Sequence, residues 1–84
     1  MAAYKPAFSD KMQDELAYRK KRDRATYEQA IKKIALILKN SKIGKPMLAP
    51  LTNIRRFHVG PLVVTYRINE EAHEVVFTSF EHHE

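Results

Sequence analysis

The residues best suited to chemistry are an alternating pair, Arg56 and His58, and two histidines near the end of the sequence, His82 and His83. A guanidinium holds a phosphate through two parallel hydrogen bonds, and an imidazole exchanges protons near neutral pH. Together such groups can take a proton from a 2′-hydroxyl and return one to a leaving oxygen. If they converge on one phosphodiester, the pattern predicts a metal-independent ribonuclease.

The histidines also have simpler interpretations. His58 is compatible with a solvated sheet face, and the pair at positions 82 and 83 with a frayed tail. A zinc site built from these three histidines lacks the helical ligand spacing that makes such a prediction specific. The fourth histidine, His73, falls at a predicted hairpin turn and is interpreted as inert surface.

The chain is basic, with fifteen Lys and Arg against ten Asp and Glu and a formal net charge of +5. This balance favours phosphate-rich or acidic partners and makes their binding sensitive to salt. The densest basic run, residues 19–22 followed by Arg24, falls at the end of a predicted helix. A solvated helix end is the usual meaning of such a run, and a phosphate site is the alternative.

Other chemistries lack their residues. The sequence has no cysteine and only two glycines, Gly44 and Gly60, so thiol catalysis, disulfides and glycine-rich phosphate loops are excluded. We expect neither a cofactor nor a metal. No apolar stretch is long enough for a signal peptide or a membrane span, which predicts a cytoplasmic protein with one domain over residues 1–84.

The first half of the chain predicts an edge strand and two helices. Residues 4–8 alternate weakly around a proline, which restricts them to a sheet edge. Ser9 and Asp10 offer an N-cap for a helix running to about residue 21. Thr26 and Gln29 resemble a capping box for a second helix ending near residue 40. Its predicted apolar stripe is Tyr27, Ala30, Ile31, Ile34, Ala35 and Leu38.

The second half predicts a loop over residues 41–53, which contains Gly44, Pro46 and Pro50, and then three strands. In the first strand the alternation separates Phe57 and Val59 from a second face, formed by Ile54, Arg56 and His58. The next strand, residues 62–68, buries Leu62, Val64, Tyr66 and Ile68, and turns Val63, Thr65 and Arg67 outward. The last strand, residues 73–80, is apolar on both faces, with Val75 and Phe77 on one and Val76 and Phe80 on the other.

These elements predict an α+β fold with a short N-terminal edge strand, a two-helix hairpin and a three-stranded antiparallel meander. Two helices can cover only one face of the sheet, so the opposite face must meet water or a ligand. Arg56, His58 and Arg67 all fall on that opposite face. The aromatic residues Tyr27, Phe57 and Tyr66 fall on core faces and are not expected to stack on RNA bases.

The run Arg56-Phe57-His58-Val59-Gly60, then Val63-Val64-Thr65-Tyr66-Arg67-Ile68, resembles the RelE/ParE toxin superfamily, as does the order of elements over nearly the whole chain. That family typically has an Arg-x-Arg-Val-Gly strand, a strand ending in a Val-x-Tyr-like pattern, and a His-Arg or His-Tyr tail. Gly44-Lys45-Pro46 is similar to the YoeB branch. Residues 55–61 with a terminal histidine are similar to the YafQ branch, where histidines carry catalysis.

The resemblance implies a toxin of a type II toxin–antitoxin system, most members of which cleave mRNA, commonly in the ribosomal A site, using the 2′-hydroxyl as nucleophile. It implies three partners: a small acidic antitoxin that forms a hetero-oligomer with the toxin, mRNA, and the ribosome. By resemblance His58 and His83 transfer protons, Arg56 contacts phosphate, and His82 is a substitute for a catalytic histidine. The predicted RNA-binding residues are Arg55, Arg67, Lys45, Arg19 and Lys20.

Two departures from the family pattern leave alternatives open. Val63 stands where many RelE-type toxins have an arginine, and no tyrosine follows the final histidines. The leading hypothesis is an mRNA endoribonuclease. The second is a non-catalytic inhibitor of DNA gyrase, as in the ParE branch, and the third is an RNA- or ribosome-binding module that has lost the chemistry.

Overall fold

The computed structural model describes residues 3–46 and 53–82, which form two helices and a five-stranded sheet. The elements follow the order β1 (Lys5–Phe8), α1 (Asp10–Arg22), α2 (Arg24–Lys39), β2 (Lys45–Pro46), β3 (Ile54–Val59), β4 (Leu62–Asn69) and β5 (Glu74–His82). The predicted α+β architecture, with an N-terminal strand, a helical hairpin and a C-terminal meander, is confirmed.

Both helices begin at a side-chain cap. Ser9 caps α1 as predicted, because its hydroxyl accepts a 3.0 Å hydrogen bond from the Met12 N–H. The predicted capping box at Thr26 is wrong: the cap of α2 is Asp23, three residues earlier, and its side chain accepts from the Thr26 N–H. Hydrogen bonds from the side chain and the N–H of Thr26 lower the pKa of the Asp23 carboxyl, and the charge of Arg19 lowers it further.

The sheet has the strand order β1-β5-β4-β3-β2. β1 is an edge strand, as predicted, and it pairs in parallel with β5, while the other pairings are antiparallel. The sequence interpretation missed β2, whose Lys45 and Pro46 pair with Arg56 and Arg55. A strand of two residues is too short to show alternation in the sequence. Pro46 is compatible with β2 because this strand also lies at an edge of the sheet. Residues 47–52 of the predicted loop lie outside the described part of the chain.

A β-bulge in β5 corrects the predicted position of Phe80. Thr65 pairs with Ser79 but Tyr66 pairs with Phe77, so Thr78 is the extra residue. The Thr78 hydroxyl donates to the Thr65 carbonyl, and the Ser9 hydroxyl donates to the Thr78 carbonyl. Because the bulge reverses the alternation, Phe80 lies on the same face as Phe77 and is fully buried.

The core lies between the helices and one face of the sheet. Its residues are Met12, Ala30, Ile34 and Ile37 from the helices and Phe57, Val59, Leu62, Val64, Tyr66, Ile68, Val75, Phe77 and Phe80 from the strands. Ile31 and Ala35 were predicted in the apolar stripe of α2 but are exposed, and Ile37 is buried instead. Neither described helix is long and apolar enough to cross a membrane.

Candidate functional site

The sheet face that the helices leave uncovered, here called the open face, is defined by the strand register. Paired residues on neighbouring strands point to the same side, so each row across the sheet can be read from the pairings. The row through Arg56 contains Lys45, Thr65 and Ser79; the row through His58 contains Val63 and Glu81; the row through Arg67 contains Ile54, Val76 and Ala7. The predicted face assignments of Arg56, His58 and Arg67 agree with this register.

Two cations lie side by side on the open face. Lys45 and Arg56 are directly opposed across β2 and β3. Like charges in opposed positions repel each other, so the pair favours an anion placed between them. Arg56 is half-buried, and its Nε is buried with no hydrogen-bond partner among the described residues. A phosphate bound between Lys45 and Arg56 would lower the electrostatic energy of the pair.

His58 lies two residues beyond Arg56 on the same face of β3, and its side chain is exposed. Its cross-strand neighbour is Val63, at the position where the resemblance to RelE-type toxins led us to look for an arginine. Beyond Val63 the row reaches Glu81, whose carboxylate forms a 2.5 Å ion pair with Lys11. An imidazole and a guanidinium therefore share one face, while the third position next to them is apolar.

A buried hydrogen-bond network anchors the segment that carries Lys45. The Tyr66 hydroxyl donates to the Ser41 carbonyl at 2.8 Å and accepts from the Gly44 N–H at 2.9 Å. Arg55 adds hydrogen bonds from Nη1 to the carbonyls of Gly44 at 2.6 Å and Lys42 at 3.2 Å. Burial raises the pKa of the Tyr66 hydroxyl above its usual value. This network, called the Tyr66 latch below, lies on the helix side of the sheet and fixes β2 beside β3.

The sequence interpretation missed the latch, although one signal was present. Tyr66 is a tyrosine on a core face whose other members in β4 are Leu62, Val64 and Ile68. A buried tyrosine hydroxyl requires hydrogen-bond partners, so the residue predicted a polar contact that aliphatic neighbours do not supply. What the sequence did not indicate was that the partners would be backbone groups at residues 41 and 44.

Four other predicted site residues lie apart from the open face: Arg19, Lys20, Arg55 and His82. Arg55 pairs with Tyr66 on the helix side, where its guanidinium binds the loop carbonyls. Arg19 and Lys20 belong to α1, in the layer on the opposite side of the sheet. His82 pairs with Leu62 in the row of Val59, so the register places it on the opposite face from His58. His83 lies outside the described residues.

His73 is more than inert surface. Its ring stacks on that of Tyr4, with centroids 3.9 Å apart, and its carbonyl accepts from the Lys5 N–H. Its backbone is in the left-handed region, with φ of 53°, within the turn between β4 and β5. His73 therefore joins that turn to the start of β1. Over residues 3–46 and 53–82, no three potential metal-binding side chains are grouped together.

The family model for the ParE toxin of type II toxin–antitoxin systems (parDE) matches residues 5–84. The chain belongs to this family, within the RelE/ParE superfamily. It is thus a type II toxin, as its resemblance to the superfamily implied. No curated protein sequence is significantly similar to it.

Solved structures share the toxin's fold at low sequence identity. A YoeB/ParE toxin from Agrobacterium tumefaciens is 12% identical with a TM-score of 0.84, covering 95% of this chain and 99% of its own. The isolated Escherichia coli RelE toxin is 20% identical with a TM-score of 0.82, covering 98% and 86%. The Staphylococcus aureus YoeB dimer is 16% identical with a TM-score of 0.81, covering 99% and 100%. At these identities the likeness establishes the fold.

Proposed function

We propose that the toxin is a metal-independent endoribonuclease that cleaves mRNA on the ribosome. The observation that supports this most directly is the position of Lys45, Arg56 and His58 on the face that the helices leave uncovered. Two cations bind the phosphate and the imidazole beside them transfers one of the two protons that move when a 2′-hydroxyl cleaves RNA.

In the proposed reaction the 2′-oxygen forms a bond to phosphorus while the bond from phosphorus to the 5′-oxygen breaks. One group takes the proton of the 2′-hydroxyl and another gives a proton to the leaving 5′-oxygen. His58 is one of these groups, and His83 is the other by family resemblance. Lys45 and Arg56 neutralise the charge that develops on the phosphate oxygens. The products are a 2′,3′-cyclic phosphate and a 5′-hydroxyl.

The proposed inhibitor is a small acidic antitoxin, made in the same cytoplasm and bound to the toxin in a hetero-oligomer. Two solved relatives support this, the intact E. coli RelBE toxin–antitoxin complex and the YoeB–YefM complex of S. aureus. The net charge of +5 suits an acidic partner.

The experiment is cleavage of mRNA in a purified translation system, with mapping of transcript ends. His58→Ala, Arg56→Gln and the double variant His58→Ala/His83→Ala are each expected to lose activity, by roughly 10²-fold or more. His82→Ala is the matched control, because the register places that imidazole on the other face. A 2′-deoxy nucleotide at the cleaved position should abolish cleavage.

The proposal fails if the double histidine variant cleaves at the wild-type rate, or if the 2′-deoxy substrate is still cut. Full loss of activity in His82→Ala, with wild-type activity in His58→Ala, would exclude the open face as the catalytic site. Circular dichroism of each variant shows whether the fold is retained.

Inhibition of DNA gyrase is the second candidate. Three observations favour it: the matching family model is that of ParE toxins, Val63 stands next to His58 in place of an arginine, and His82 lies on the opposite face. Gyrase-dependent DNA breaks without RNA cleavage would support this candidate. A protein that binds RNA in a salt-sensitive manner, without arresting growth, would support the third, a binding module that has lost its chemistry.

A further inference from the structure

An exposed tyrosine on α1 lies beside two arginines. The Tyr18 side chain is 53% exposed. The guanidinium carbons of Arg19 and Arg22 lie 5.4 Å and 5.9 Å from the centroid of its ring. A hollow of about 280 Å³ beside the ring is lined by Asp14, Ala17, Tyr18, Lys21 and Arg22. Tyr18, Lys21 and Arg22 are called the α1 patch below.

The charges of the α1 patch are only weakly neutralised within the protein. Arg19, next to the patch, has a side chain that is only 17% exposed and forms a long ion pair with Asp23, at 3.8 Å. Among the described residues, no carboxylate lies within 4.0 Å of the charged groups of Lys21 or Arg22. Asp14 is the one acidic residue of the hollow, against two cations. The patch therefore attracts anions, and the exposed ring gives it a flat apolar surface at the same place.

We propose that the α1 patch is a second RNA-binding site, in which Tyr18 stacks on an unpaired base and Lys21 and Arg22 contact the adjacent phosphates. Proteins that bind single-stranded RNA combine these two features, an aromatic ring for the base and cations along the backbone. The choice of RNA as ligand rests on the proposed function. The binding site itself shares no residue with the open face.

The position of the patch determines what it contacts. α1 lies on the helix side of the sheet, and the open face is on the other side. A phosphodiester cleaved on the open face is therefore not the segment that stacks on Tyr18. The α1 patch binds a different segment or a different RNA molecule, such as structured RNA with a flipped-out base.

An acidic protein segment is the competing ligand class, and the ring distinguishes the two. Carboxylates pair with Lys21 and Arg22 but do not need an aromatic face. A base stacks on tyrosine or phenylalanine and loses that contact with leucine, which has similar apolarity and no π-face. Exchanging only the ring therefore separates RNA binding from simple charge attraction.

The test is fluorescence anisotropy with a short labelled single-stranded RNA, in the His58→Ala/His83→Ala background so that the RNA stays intact. Tyr18→Leu is expected to weaken binding roughly 5- to 100-fold, and Tyr18→Phe to stay within about twofold of the parent. Arg22→Gln is expected to reduce the slope of log affinity against log salt by about 0.7. Lys39→Gln, which removes one charge in the last turn of α2, is the matched control and should leave Tyr18-dependent binding unchanged.

Parental affinity in Tyr18→Leu would overturn the proposal. The proposal would also be overturned if an unlabelled poly-glutamate peptide displaced RNA equally well from the parent and from Tyr18→Leu, with no dependence of RNA affinity on the ring. The result is independent of the proposed function: loss of RNA binding in Tyr18→Leu supports the α1 patch even if the toxin never cleaves RNA. If the toxin cleaves RNA but Tyr18→Leu does not change RNA binding, the α1 patch is rejected as a binding site and the open face is retained as the catalytic site.

Discussion

Tyr66→Phe removes one oxygen atom and should loosen a whole edge of the sheet. The Tyr66 hydroxyl is the shared partner of the Ser41 carbonyl and the Gly44 N–H, and all three residues are buried. Phenylalanine fills the same space in the core but forms neither hydrogen bond. Because the core packing is preserved, the measured change reports the polar contacts of the latch.

The expected loss in the free energy of unfolding is about 2–4 kcal/mol. Each buried backbone group left without a partner costs roughly 1–3 kcal/mol, and two groups are affected. The two groups together would cost about 2–6 kcal/mol. We expect the lower half of this range because residues 41–46 lie at an edge of the sheet, where the unpaired groups can reach water. The total stability of a chain of this length is roughly 4–12 kcal/mol, so the loss is a large fraction of it.

Urea unfolding followed by circular dichroism measures this loss. Tyr18→Phe is the matched control, because it removes a hydroxyl from an exposed ring and should change stability by less than about 0.5 kcal/mol. Hydrogen exchange gives a local readout: the Gly44 amide should exchange faster in Tyr66→Phe, while the Phe77 amide in β5 should change only with global stability.

Alkaline pH tests the same group through its titration. The pKa of Tyr66 is raised in the folded protein, so its contribution to stability is full below the ordinary tyrosine pKa of about 10 and is lost as the pH rises through the folded value. Tyr66→Phe should lack this decline. The latch is refuted if Tyr66→Phe unfolds within about 0.5 kcal/mol of wild type and the Gly44 amide exchanges at the same rate.

Three further changes test other parts of the structure. Gly44→Ala should destabilise the protein by about 1–3 kcal/mol in urea unfolding, because a Cβ there would lie 2.4 Å from the Tyr66 hydroxyl oxygen and 2.8 Å from the ring carbon Cε1; wild-type stability in Gly44→Ala would contradict this. Val63→Arg places a guanidinium across from His58 and should raise the mRNA cleavage rate at least about tenfold, whereas an unchanged rate argues against the open face. Asp23→Ala should lower stability at neutral pH, with the difference from wild type shrinking as the pH falls below about 4; a difference independent of pH would exclude the carboxylate cap.

Local patterns were sufficient to predict most of the fold. The Ser9 cap, the i, i+4 apolar spacing and the period of two in β3 and β4 are properties of neighbouring residues, and each gave an element that the structure confirms. β2 was missed because it exists only through pairing with a strand that follows it in the sequence. The face of Phe80 was wrong because the bulge at Thr78 is set by pairing with β4.

The residues of the candidate site also differ in whether local sequence patterns could place them. Arg56 and His58 could be placed on one face from alternation alone, since they belong to one strand. Lys45 could not be placed beside Arg56, because that contact depends on the Tyr66 latch. Of the three aromatic residues expected in the core, Phe57 and Tyr66 lie there, whereas Tyr27 is only half-buried and is not part of it. The exposed ring of Tyr18 was not predicted, because the basic end of α1 was interpreted as a solvated helix face.

The position of β5 has a consequence for how the protein is made. β5 lies between β1 and β4, although it is synthesised after them, and it contributes Val75, Phe77 and Phe80 to the core. A nascent chain that has reached only Asn69 therefore has β1 without its partner and an apolar face without a central strand. Assembly must wait for the last strand to emerge, because pairing over such sequence distances comes late in folding. Translation that stops before β5 would release fragments without the central strand, and we expect toxicity only from chains that contain β5.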